Sequence, residues 1–198
     1  FLIQAIRIRD NLDIDPMTYN IVIKGAVRGS GTIRMGNELA INPGDVRTQL
    51  EGIPTKEPAF GLDAYWINPS QADFAKTAGY TIVDGATVIA THINAILRDN
   101  ASDLLGHDET REILDKIAQR SPKLIDDLVP DKLSVSTIMQ ILKNILFESI
   151  PIRDMNTIID TLLLESSRTQ NPDELTALVR PRLGRLMLQN LVPPGEEL

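Results

Sequence analysis

The chain has 198 residues, 20 Lys+Arg against 27 Asp+Glu, two His and no Cys, with 42% hydrophobic and 4% aromatic residues. That length accommodates one large domain or two to three small ones, and the apolar share is that of a globular chain. Without cysteine there is no disulfide framework, Cys-ligated zinc, iron–sulfur cluster or thiol nucleophile, and a formal charge of −7 argues against a nucleic-acid binder, which needs a basic face.

The charge is uneven. Residues 1–98 carry 9 Lys+Arg and 10 Asp+Glu, while residues 99–198 carry 11 and 17, a net of −6. The acidic half reads as a solvated helical surface rather than a site for a basic partner. Its most apolar stretch, Ile158-Ile159 and then 161–164, is broken by Asp160 and Glu165, well short of the ~18–20 apolar residues of a membrane helix. The start, Phe1-Leu2-Ile3-Gln4-Ala5-Ile6-Arg7, lacks the layout of a signal peptide and reads as a cut inside a longer chain.

In chain order, Ile6 and Ile8, then Tyr19, Ile21 and Ile23, recur every second residue and predict two half-buried strands. Turn clusters at Gly29-Ser30-Gly31, read as a hairpin turn, and at Asn42-Pro43-Gly44-Asp45 bracket a strand predicted near 32–41. Residues 45–59, with Gly52, Pro54 and Pro58, read as an exposed loop. Ala64-Tyr65-Trp66-Ile67 suits a strand. A short helix over 70–78 ends at Gly79, a left-handed cap, before a strand over 80–83. From Ala86 the apolar residues fall at 88, 89, 93, 96 and 97, a helical stripe. Further helix starts are signalled by Asp108, Ser121-Pro122, Ser134, Asp154 and Asn171-Pro172-Asp173-Glu174. Pro181 lies inside the last pattern and should kink or divide that helix. The predicted fold class is therefore α+β: small mixed α/β subdomains followed by an all-helical part.

Chemistry is sparse. His92 and His107 stand in different elements without H-E-x-x-H spacing, so packing or capping is the reading, with no metal and no cofactor. Asp10, Asp13 and Asp15 lack the pattern of a calcium loop. Gly29, Gly31 and Gly36 match neither phosphate-loop fingerprint, and there is no G-x-S-x-G elbow. A soluble hydrolase or nucleotide-binding enzyme stays open but finds no support in these motifs. Phe60, beside a Gly/Pro-rich loop at the start of a strand, is core on packing grounds alone; an exposed aromatic for a partner is the alternative.

A run of ordered blocks carries a resemblance: Ile8-Arg9-Asp10-Asn11-Leu12, Leu39-Ala40-Ile41-Asn42-Pro43-Gly44, Pro58-Ala59-Phe60-Gly61-Leu62 with Trp66-Ile67, and Gly79-Tyr80-Thr81-Ile82-Val83-Asp84. After these come Thr87-Val88-Ile89-Ala90-Thr91-His92, Ser121-Pro122-Lys123-Leu124 and Ile150-Pro151-Ile152-Arg153-Asp154-Met155. Together they resemble the cytoplasmic region of the FHIPEP family, the large inner-membrane subunits of bacterial flagellar and virulence type III export apparatus. Asn171-Pro172-Asp173-Glu174-Leu175 with Arg182-Leu183-Gly184-Arg185 looks more like the flagellar branch, with the virulence injectisome subunit as the runner-up.

The resemblance implies a first subdomain in two pieces (1–35 and 85–104), an inserted small α/β subdomain (36–84), a helical subdomain (105–190), and a tail or the start of a truncated fourth subdomain (191–198). It implies the cytoplasmic domain of a bacterial inner-membrane protein that docks export chaperone–substrate complexes and orders secretion, a docking module and not an enzyme. It also implies contacts with the export ATPase complex and the companion gate subunit. The whole protein would form a nonameric ring, while this fragment alone stays monomeric. The implied docking dimple matches Phe60, Thr91, Glu57 and Val83, an apolar floor with one hydroxyl and one carboxylate at its rim.

Overall fold

The computed structural model describes residues 6–191, with side chains through Gly184. Contacts divide the chain into two compact units, Arg7–Arg98 and one beginning at Asp99. Strands and helices are both present, and among the described residues the strands are confined to the first unit.

That unit opens with β1 (Thr18–Ile23) and β2 (Ala26–Thr32), an antiparallel two-stranded hairpin. Its turn is Lys24-Gly25, with φ +51° and +83°. Two consecutive positive φ values match the right-handed twist of the strands, which is why a glycine sits there. The turn predicted at Gly29-Ser30-Gly31 is thus corrected: these residues lie within β2. The strand predicted at Ile6 and Ile8 is absent too. Residues 6–10 have no regular structure, and Ile8 is 94% exposed. Alternation without a neighbouring strand to pair with does not make a strand.

A four-stranded antiparallel sheet follows, in the order β4-β5-β3-β6: β3 (Glu38–Ile41), β4 (Ile53–Lys56), β5 (Asp63–Ile67) and β6 (Thr81–Val83). The segment predicted as one strand near 32–41 is therefore the end of β2 and all of β3, separated by a turn at Gly36 (φ +76°). Part of the predicted loop 45–59 is β4, and Leu50 is buried. The Pro54 that argued for a loop is tolerated because β4 is an edge strand.

Both faces of this sheet are covered. Ala40 and Ile67 pack with Ala75 and Tyr80 on one side; α1 (Ala72–Thr77), preceded by a 3-10 turn, supplies Ala75. Leu39, Ala64 and Trp66 pack on the other against Val88 of α2 (Gly85–Asp99). Two-sided burial explains why Ala64-Tyr65-Trp66-Ile67 reads as continuously apolar rather than alternating. Gly79, at φ +100°, closes α1 as predicted. Asp84 opens α2 by accepting the Thr87 N–H at 2.7 Å; hydrogen bonds from the Thr87 side chain first, and from this N–H second, hold its carboxyl below its ordinary value.

The second unit contains α3 (Ala101–Leu104), α4 (His107–Arg120), α5 (Pro122–Asp126), α6 (Val135–Phe147), α7 (Met155–Glu165) and α8 (Pro172–Leu191). Because α3 packs on α6, the helical unit begins upstream of the boundary expected at 104/105. Its core interlocks Ile138, Ile141, Leu142 and Ile145 of α6 with Ile158, Ile159 and Leu162 of α7, and with Leu175, Val179 and Leu183 of α8. These spacings are single helix faces.

Ser134, Asp154 and Asn171 cap as predicted, accepting the N–H groups of Thr137, Thr157 and Asp173 respectively. Two predicted caps are corrected. At α4 the N-cap is Gly106, not Asp108: its N–H donates to Glu109 Oε2 at 2.9 Å, and a β-carbon there would lie 2.6 Å from that oxygen. Ser121 makes no side-chain cap for α5; its N–H instead closes α4 on the Ile117 carbonyl. Pro181 does not divide α8, which runs unbroken from Pro172 to Leu191. Pro181 and Ala177, whose carbonyl the proline leaves without a helical donor, both lie on the exposed side, so that carbonyl is open to solvent rather than stranded in the core. No helix among the described residues is long and apolar enough to cross a membrane.

Candidate functional site

The connection between β4 and β5 is shaped by Glu57. Lys56 and Asp63 are register partners and form an ion pair at 2.7 Å, which closes the base of the loop. Within it, the Glu57 N–H donates to the Leu62 carbonyl and the Gly61 N–H donates to the Glu57 carbonyl, both at 2.8 Å. Gly61 has φ +71°, where a side chain would be strained. The Glu57 carboxylate then folds back: Oε1 accepts the Ala59 N–H at 2.9 Å and Oε2 accepts the Phe60 N–H at 2.7 Å. The carboxylate satisfies two amides that the tight turn would otherwise leave unpaired.

Glu57 is consequently 3% exposed, while Phe60 is 65% exposed. The packing expectation of a core Phe60 is overturned, because the turn carries the ring outward. The expectation of a carboxylate at the rim is corrected as well: the acid lies beneath the turn with both oxygens committed to backbone.

Phe60 and Leu62 border a concavity of about 70 Å³ whose remaining wall is Ile41, Glu57, Val83, Val88 and Thr91. All four residues singled out from sequence, Phe60, Glu57, Thr91 and Val83, therefore meet at one place in the first unit. Ile41, Leu62 and Val88 are additions. The helical stripe from Ala86 marked Val88 as a packing position, but nothing in the sequence placed the three together. A drug-sized ligand needs roughly 300–1,000 Å³. This groove instead has room for one apolar side chain beside an aromatic ring. With apolar walls and one hydroxyl, it suits contact with an amphipathic segment rather than bond chemistry.

Behind the groove stands a polar pair. Tyr19 Oη lies 2.9 Å from His92 Nδ1, and the rings meet edge to face with centroids 5.7 Å apart. His92 is 4% exposed. Burial, and secondarily the charge of Glu57, push the Tyr19 phenol up to about 12. Among the described residues no group of three or more His, Asp or Glu is arranged to hold a metal ion.

Over residues 1–198 the chain matches the model of the FHIPEP family. It is 43% identical over its whole length to the flagellar biosynthesis protein FlhA of Escherichia coli strain K12, and spans 29% of that relative's length. Among solved structures it resembles nonameric EPEC SctV-C at TM-score 0.66 and 21% identity, covering 90% of this chain and 54% of that one. It also resembles a chain in the Chlamydia pneumoniae CdsV and CdsO protein complex at TM-score 0.75 and 21% identity, covering 86% and 52%. At such identities these structures bear on the fold alone.

Proposed function

This chain belongs to the FHIPEP family, and on that premise we propose that it is part of the cytoplasmic docking platform of a flagellar type III export gate. It takes up export chaperone–substrate complexes at the Phe60 groove and so helps order secretion. The observation that carries this reading is the exposed Phe60 ring, held out by the Glu57 turn over an apolar concavity that Thr91 and Val83 complete. Interface anchors are typically aromatic rings of this kind. The flagellar reading is favoured over the injectisome counterpart because the chain is 43% identical over its whole length to a flagellar relative.

In this reading the chain is a docking module with no covalent chemistry, and it lies on the cytoplasmic side of the inner membrane. The nonameric SctV-C and the complex of CdsV with CdsO support a ring for the whole protein and contact with other export-apparatus proteins, here the ATPase complex and the companion gate subunit. The 198 residues alone stay monomeric. The test is Phe60→Ala. Losing an anchor costs at least ~2 kcal/mol, about thirtyfold in affinity for a purified flagellar export chaperone–substrate complex measured by calorimetry. The urea-unfolding midpoint stays unchanged, because a largely exposed ring leaves no sealed cavity. Unchanged affinity overturns the proposal.

A further inference from the structure

Val88 and Thr91 of α2 line the groove, yet the buried residue beside them, His92, does not. Val88 and His92 are four apart and share one helix face. On that face His92 meets the β1–β2 hairpin: its Nδ1 lies 2.9 Å from the Tyr19 hydroxyl. The hairpin is cut away to receive the pair. A β-carbon at Gly31 would lie 2.5 Å from the Tyr19 hydroxyl oxygen, and one at Gly29 would lie 2.9 Å from His92 Nε2. Tyr19 and Gly31 are register partners, so the phenol lies across a strand position that must be bare. A two-stranded hairpin has little stability of its own, and here its contact with α2 falls on the helix turn that also carries Thr91.

We propose that Tyr19 and His92 are positioning residues for the groove: the hairpin grips α2 at His92 and thereby sets where Thr91, and Val88 one turn back, stand opposite Phe60. Neither residue touches the docked partner; both act through α2.

The test uses the 198-residue chain. Tyr19→Phe keeps the ring over Gly31 and removes only the hydroxyl. His92→Leu keeps buried bulk without a hydrogen-bonding group, and His92→Gln keeps a side chain that can donate or accept toward the Tyr19 hydroxyl. In Tyr19→Phe the NMR signal of the Thr91 γ-methyl shifts, and affinity for the purified chaperone–substrate complex falls roughly three- to tenfold, the scale of one neutral hydrogen bond. His92→Leu loses the same, the double variant loses no more than either single one, and His92→Gln retains affinity. Ser30→Ala, on the exposed side of β2, moves neither readout. A Thr91 signal unmoved in Tyr19→Phe, or additive losses in the double variant, overturns the proposal. If Tyr19→Phe does not fold, the two His92 variants decide: equal affinities overturn it, and affinity kept by Gln alone supports it. The affinity arm rests on the docking reading; should Phe60→Ala leave affinity unchanged, that reading fails and the Thr91 signal alone judges the positioning role.

Discussion

Replacing Glu57 by Gln keeps the length of the side chain but changes what it can accept. The carboxylate takes N–H groups from both Ala59 and Phe60, whereas an amide offers one oxygen and turns an NH₂ toward the other donor. Glu57→Gln is expected to cost about 1–3 kcal/mol, the range for a buried charged acceptor lost, read as a lower urea midpoint. Tyr19 gives a second measurement, in alkali. Its phenol is raised from 10.0 to about 12, so the folded state keeps a proton that the unfolded state sheds. Stability is whole below pH 10 and declines as pH climbs toward 12. Tyr19→Phe removes that part of the decline in a pH series of unfolding curves. The groove's four chosen residues were legible through their resemblance to a family pattern, not through physics, which favoured a buried Phe60. The Tyr19–His92 pair was not legible at all, because 73 residues separate its members and no local pattern records such a contact.

Local chemistry spoke most clearly at helix starts. Asp154 accepts the Thr157 N–H at 3.1 Å as well as that residue's hydroxyl. Asp154→Ala is expected to cost about 0.5–2 kcal/mol, measured by thermal or urea unfolding. Ser134 and Asn171 were equally readable, since a side-chain oxygen followed by a helical stripe needs only a few residues to identify. Gly106 escaped notice because the Glu109 carboxylate supplies its capping bond from inside the helix. Strands were read less well, since a strand requires a partner that sequence does not name. Ile6 and Ile8 alternate without one, while β4 forms despite Gly52 and Pro54 because β5 is there to pair with it.

Two compact units were legible as a change of period from two to 3.6, and the acidic excess of residues 99–198 marked the helical one. The exact break was not, because α3 declares its allegiance only by packing on α6. The inward-turned Glu57 carboxylate then has a kinetic consequence for the molecule as a whole. The chain's charge of −7 acts at a distance and is screened over about 8 Å at physiological salt. The groove wall presents apolar side chains and a hydroxyl, its one carboxylate being occupied by backbone. On the docking proposed for this groove, added salt should therefore alter how fast a charged partner arrives, since steering governs encounter, and leave its residence time nearly constant, since short-range contacts govern departure. Stopped-flow association and dissociation rates from 50 to 500 mM NaCl check this division: the first should vary severalfold and the second by less than about twofold.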